Sequence, residues 1–158
     1  MQCARLSPPA ATKFCVGAVL VDAGTNEVLS TGYSLELPGD RPGDPGTTHA
    51  EHCCFIKVAE KYGVTTETEL NHKLPKNTVL YTTMEPCNVR LSRNRTCVER
   101  ILALREMLKT VYIGIREPGT FIADNRGQAR LEAAGITVIQ LKGMEDQVKE
   151  VSLAGHQL

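Results

Sequence analysis

Asn77-Thr78-Val79-Leu80-Tyr81-Thr82-Thr83-Met84-Glu85-Pro86-Cys87 reads as a β-rich run over 77–83 that delivers a proline–cysteine pair at its C-terminal end. β-Branched and aromatic side chains suit a pleated, buried surface, and proline ends the run because it has no N–H to give a ladder. Downstream the pattern alternates. Cys97 to Leu108 has helical periodicity, with Val98, Ile101, Leu102 and Arg105 spaced by three and four. Val111 to Ile115 reads as a strand, Gly127 to Ala134 as a helix stopped by Gly135, Ile136 to Leu141 as the last strand, and Glu145 to Leu153 as the last helix. Strand, helix, strand with short connections predicts parallel neighbours with helices on both faces. Upstream, Val16 to Asp22 is an apolar strand, Ala23 to Asn26 a turn, and Glu27 to Tyr33 the returning strand of a hairpin. Residues 1–13, with Pro8-Pro9, form an irregular or briefly helical lead-in. The expectation is a single α/β domain over residues 1–158, a three-layer α/β/α sandwich around a five-stranded mixed sheet. Open sheets of this kind bind ligands beyond the C-terminal ends of their strands, which is where Pro86-Cys87 falls.

A long loop, Leu37 to Gly46, carries three prolines and three glycines, enough to forbid regular structure, and leads directly into His49-Ala50-Glu51. Thr48 and Glu51 have capping-box spacing, so a helix is expected to begin there and run to about Tyr62. Pro86-Cys87 follows 35 residues after Glu51, and a second cysteine, Cys97, stands beyond nine intervening residues. A histidine, two cysteines and a nearby glutamate that is not a ligand are the parts of a catalytic zinc centre. Three protein ligands leave the fourth tetrahedral position to water, whose pKa zinc lowers to about 7. Glu51, on the first turn with its ligand, is placed to take that water's proton and hand it on. Nucleobase deaminases use this arrangement as H-x-E with P-C-x-x-C; here the first half is unchanged and the second is stretched. Pro86 at a first helical position would put Cys87 at a helix N-terminus, where a thiolate is favoured. Cys3, Cys15, Cys53 and Cys54 are expected to be reduced thiols with no metal role, since no apolar run follows Met1-Gln2-Cys3-Ala4-Arg5 as in a secretory leader.

Composition narrows the partners. A formal net charge of zero and a pI near 6.9 give no long-range pull on nucleic acid, and a chain without tryptophan offers little platform for stacked bases. No apolar run approaches a membrane span. The expected setting is cytoplasmic, with a small molecule rather than nucleic acid or membrane as partner.

The strand pair with Gly17-Ala18, the His49-Ala50-Glu51 helix and Thr83-Met84-Glu85-Pro86-Cys87 together resemble the cytidine-deaminase superfamily over about residues 14 to 142. The wide cysteine gap is similar to that of the riboflavin-pathway pyrimidine deaminases, and Asp124 to Ile136 resembles the segment that ends their deaminase domain. With Leu35-Glu36-Leu37-Pro38-Gly39 before the histidine and the chain stopping at Leu158, the likeness is greatest to the fungal stand-alone branch. The resemblance implies hydrolytic deamination of 2,5-diamino-6-ribitylamino-4(3H)-pyrimidinone 5'-phosphate, a zinc cofactor held by His49, Cys87 and Cys97, and a homodimer. Other readings are a zinc deaminase of deoxycytidylate or of tRNA adenosine, and a catalytically dead scaffold subunit; Glu51 speaks against the last. Bacterial relatives carry Pro-Asn ahead of the first Val-Gly, where this chain has Lys13-Phe14-Cys15, so no asparagine role transfers.

Substrate contacts are therefore read from these residues alone. The loop between the cysteines holds Arg90, Arg93 and Arg95 with Ser92 and Asn94, and guanidinium pairs with phosphate oxygens in bidentate fashion. The plainer reading pairs those arginines with Glu85 or Glu99. Asn88, after a ligand, faces the pyrimidine edge or is an ordinary helix-start asparagine. Glu36 and Ser34 are candidates for the sugar chain, Lys13 for phosphate, and the Ala50 backbone N–H for a ring oxygen. Ser152 to Leu158, with His156, reads as a mobile tail or a lid.

Overall fold

The computed structural model describes residues 1–37, 48–119 and 125–156. In chain order these form α1 (Gln2–Leu6), β1 (Gly17–Asp22), β2 (Glu27–Tyr33), α2 (Ala50–Tyr62), α3 (Glu67–Leu70), β3 (Thr78–Met84), α4 (Cys97–Ala103), β4 (Leu108–Ile115), α5 (Gly127–Ala133), β5 (Thr137–Gln140) and α6 (Glu145–Ser152). One five-stranded sheet runs β2-β1-β3-β4-β5. β1 is antiparallel to both neighbours, while β3, β4 and β5 are parallel and joined through α4 and α5. The expected mixed sheet is present.

Register explains the layers. Leu20, Leu80 and Val111 stand opposite one another on three adjacent strands and share a face. That face is closed by Phe55 and Val58 of α2, Val98 and Ile101 of α4, and Leu131 of α5, all essentially buried. Each such side chain contributes on the order of 1.5–3 kcal/mol by leaving water. The alternate residues face the other way, where α1 packs against Gly17 and α6 against Gly114. Gly32 is on the α2 face, and a Cβ there would stand 2.2 Å from the Ala50 carbonyl oxygen, so the start of α2 rests directly on the β2 backbone.

Several local expectations change. Thr48 does not cap α2: His49 is the N-cap residue, without a side-chain cap bond, and the Thr48 hydroxyl donates to the Leu37 carbonyl at 3.1 Å. Capping boxes form instead at Thr66/Glu69 and Thr96/Glu99. Cys87 and Asn88 are not on a helix; Cys97 is the first residue of one. The helix from Cys97 ends at Ala103, and Leu108 begins β4. Leu104 and Leu108 keep the apolar spacing because both reach the core, but the backbone has already turned between them, leaving Arg105 exposed. α3 was not anticipated; its four residues carry little periodicity. Residues 38–46 of the proline- and glycine-rich loop, Asp124, and 157–158 of the terminal segment lie outside the described residues.

Candidate active site

Three separate elements deliver three sulfur and nitrogen donors to one point. His49 enters at the N-terminus of α2, Cys87 just beyond β3, and Cys97 at the first position of α4. The Nδ1 atom of His49 lies 3.4 Å from Cys87 Sγ and 3.6 Å from Cys97 Sγ, and all three donors fall within 4.8 Å of one another. Zinc bonds of about 2.3 Å to sulfur and 2.0–2.1 Å to nitrogen give a tetrahedral N–S edge of about 3.5 Å. The donor set therefore fits zinc in element type, number and spacing.

The electrostatics agree. Hydrogen bonding from Cys97 and the facing His49 outweigh burial and pull the Cys87 thiol down to about 4, while the same sulfur–sulfur contact and burial push Cys97 up. Two sulfurs thus share one proton that a dication would displace. Burial opposes the charged form of His49, yet Cys87 more than offsets it and holds the pKa above its ordinary value. Cys53 and Cys54 stand apart from this group. Burial raises Cys53 to about 11, and its thiol donates to the Tyr33 carbonyl at 3.4 Å; burial also pushes the Cys54 thiol well up.

Glu51 is only 3% exposed, with its carboxylate 3.4 Å from Cys97 Sγ and 3.5 Å from the Thr82 hydroxyl. Burial raises its pKa above the ordinary carboxylate value. The carboxylate opens on a cavity of about 390 Å³ lined by His49, Cys87, Ser34, Lys13, Arg90 and Ser92 among others. These predicted residues meet there. Others do not reach it. Asn88 accepts from Arg130 at 3.1 Å, and Glu36 pairs with Lys57 at 2.6 Å. Arg93 and Asn94 are not on the cavity wall, and Arg95 pairs with the Glu67 carboxylate and donates to the Glu99 backbone carbonyl at 3.5 Å; Ala50, the first residue of α2, stands between His49 and Glu51.

The wall also holds residues that sequence reasoning passed over: Phe14, Met84, Val89 and Leu91 give it an apolar character, and Glu117 adds a carboxylate. Glu117 follows the C-terminal end of β4, a position that the strand-end rule marks. Its Oε2 accepts from the Asn125 amide at 2.8 Å, and burial, then Cys87 and Glu85, raise its pKa from 4.5 to about 7. A carboxyl disfavoured in its charged form takes stability from the fold as pH climbs from about 4.5 through about 7. Glu117→Gln should therefore melt higher than its parent at pH 8, by roughly 1–2 kcal/mol after allowing for partial exposure, or about 2–6 °C. At pH 5 the two should melt together in thermal scans of the metal-free protein; an equal shift at both pH values would show that the charge is not the cause.

Residues 1–115 match the family model described as the cytidine and deoxycytidylate deaminase zinc-binding region. A Schizosaccharomyces pombe protein, diaminohydroxyphosphoribosylamino-pyrimidine deaminase, is 35% identical over 153 residues, which are 97% of this chain and 33% of that protein. The chain thus spans about a third of the length of this curated relative. The Aspergillus oryzae Rib2 deaminase, a C-terminal deletion mutant in complex with DARIPP, superposes with a TM-score of 0.83 at 37% identity, covering 99% of this chain and 87% of that one. The Thermotoga maritima bifunctional deaminase/reductase gives 0.64 at 26% identity, covering 98% of this chain and 38% of its own.

Proposed function

This chain belongs to the cytidine and deoxycytidylate deaminase zinc-binding family, and from that membership we propose that it is the hydrolytic pyrimidine deaminase of riboflavin biosynthesis. Its substrate is 2,5-diamino-6-ribitylamino-4(3H)-pyrimidinone 5'-phosphate, and its products are the corresponding 2,4-pyrimidinedione phosphate and ammonia. The observation that carries the reading is the His49/Cys87/Cys97 donor cluster with the Glu51 carboxylate 3.4 Å from one of its sulfurs. The similarity to Rib2, whose structure holds DARIPP, supports the choice of pyrimidine.

His49, Cys87 and Cys97 would hold the zinc, which when bound makes a water acidic enough to act as a nucleophile at neutral pH. Glu51 accepts that water's proton on its carboxylate and passes it to the ring nitrogen beside the amine-bearing carbon. Once the C–O bond has formed, Glu51 takes the remaining proton from the added hydroxyl and delivers it to the amine; the C–N bond then breaks, the oxygen becomes the ring carbonyl, and the amine departs as ammonia. The Thr82 hydroxyl, 3.5 Å away, orients the carboxylate, and its burial keeps bulk water from the transferred proton. Phe14, Met84 and Val89 supply apolar contact for the pyrimidine ring. Arg90 and Lys13, with Ser92, line the same cavity and are our choice for the phosphate; Ser34 is our choice for the ribityl chain. The Ala50 N–H, among the first of α2, lacks an intrahelical acceptor and suits a ring oxygen.

We assign the protein to the cytoplasm as a homodimer of single-domain chains; no helix among the described residues is long and apolar enough to cross a membrane. Ammonia release from ribitylamino- and ribosylamino-pyrimidine phosphates and from deoxycytidylate tests the reading. The ribitylamino compound should give the highest kcat/KM. Preference for the ribosylamino compound, which the S. pombe relative's name favours, would keep the pathway and reverse the order of its deamination and reduction. Activity on deoxycytidylate alone would overturn the assignment.

A further inference from the structure

The end of α6 and the residues after it turn back onto the other end of the chain at one place. Cys15 N–H donates to the Ser152 carbonyl at 3.0 Å. Gly155 lies against Ala10 so closely that a Cβ would stand 2.2 Å from the Ala10 nitrogen. The His156 ring stacks on Phe14, with centroids 5.1 Å apart and planes 27° from parallel, and its Nε2 sits 3.0 Å from the Lys13 carbonyl oxygen. A carbonyl oxygen only accepts, so Nε2 carries the proton in this contact. All three anchors fall on residues 10–15, a stretch outside any helix or long strand, and Thr12, Lys13 and Phe14 of that stretch line the catalytic cavity. The stretch has one short ladder of its own, the Ala10–Lys13 bridge.

We propose that His156 is a positioning residue for substrate binding: by stacking on Phe14 and donating to the Lys13 carbonyl, it holds the wall against which the pyrimidine phosphate lies. The inference rests on the cavity being the pyrimidine site. An unsupported loop of this length samples many conformations, and each contact that fixes it lowers the ordering cost of binding. His156 does not touch the zinc ligands or Glu51, so its effect belongs to binding and not to proton transfer.

Two measurements on His156→Ala separate this inference from the substrate assignment. Amide exchange needs no substrate: protection over residues 10–16 should fall at least tenfold, while α2 and β3 keep the parent's rates. Kinetics on whichever pyrimidine the parent turns over should show KM raised about tenfold with kcat within about twofold, the signature of lost ground-state and transition-state binding alike. His156→Gln keeps a donor and His156→Phe keeps the ring, so each should recover part of the loss. Unchanged exchange over 10–16, or faster exchange with unchanged KM, would overturn the proposal. A kcat that falls with KM intact would overturn it too. If His156→Ala melts too low to assay, His156→Gln and His156→Phe decide by the same two readings. Failure of the parent on every pyrimidine would sink the functional reading and leave the exchange result to judge His156.

Discussion

Glu51→Gln should retain the parent's zinc content and lose turnover by about 10³–10⁴-fold, toward the upper end of what a positioned acid–base group supplies. Glutamine keeps the size of the side chain and an oxygen for the Thr82 hydroxyl, so the surroundings need not rearrange. It cannot carry a proton from water to the ring nitrogen or from the added hydroxyl to the leaving amine. The site offers no ready substitute among the described residues: Glu51 is almost wholly buried, and the other two cavity carboxylates are engaged, Glu85 by the Glu117 and Gln128 backbone N–H groups and Glu117 by Asn125. Zinc analysis beside steady-state ammonia release makes the test. A variant with near-normal kcat would remove Glu51 from the mechanism whatever the fate of the metal.

Cys97→Ala should lose nearly all zinc and all measurable turnover, whereas Cys53→Ala should keep both. The two cysteines are both fully buried, so burial does not distinguish them. Their neighbours do. Cys97 Sγ faces the His49 ring and begins α4, with the Thr96/Glu99 capping box fixing the turn that presents it. Cys53 Sγ spends its proton on the Tyr33 carbonyl, and burial pushes its thiol up to about 11, far from the thiolate that a metal requires. Removing one ligand of three leaves a two-donor site, and zinc retention after dialysis reads the difference directly. Equal loss in both variants would mean that Cys97 is not the third ligand.

The parts of this molecule legible from sequence are those with a short-range signature. Alternating apolar runs mark β1, β2 and β3, and the His49–Glu51 spacing works within one turn of helix. Pro86 misled because proline opens helices and ends strands equally well; here it ends β3, and the helix waits until a Thr-x-x-Glu box at Thr96. Thr48 and Glu51 have that same spacing, but the Leu37 carbonyl, brought near only by the fold, takes the threonine hydroxyl. Asn88 lies off the cavity wall for a similar reason: its partner, Arg130, is 42 residues away on α5. The cavity wall was the least legible part, because Phe14 and Glu117 come from segments about a hundred residues apart and neither sits in a motif. Their common trait is position beside a strand end, a topological property that appears only once strand order is known.

The contact between Gly32 and the Ala50 carbonyl has a bearing on how this protein tolerates change. A methyl group at position 32 would require α2 to retreat by roughly 1 Å or more, since packed atoms do not stand 2.2 Å apart. The edges of a tetrahedral zinc site vary by only a few tenths of an ångström, and α2 carries His49 on one side of that tetrahedron while β3 and α4 carry the cysteines on the other. The calibration of the metal centre is thus set on a strand that supplies none of its ligands. A survey of variants for lost zinc that inspected only the donor residues would overlook this hydrogen atom, on which their spacing depends.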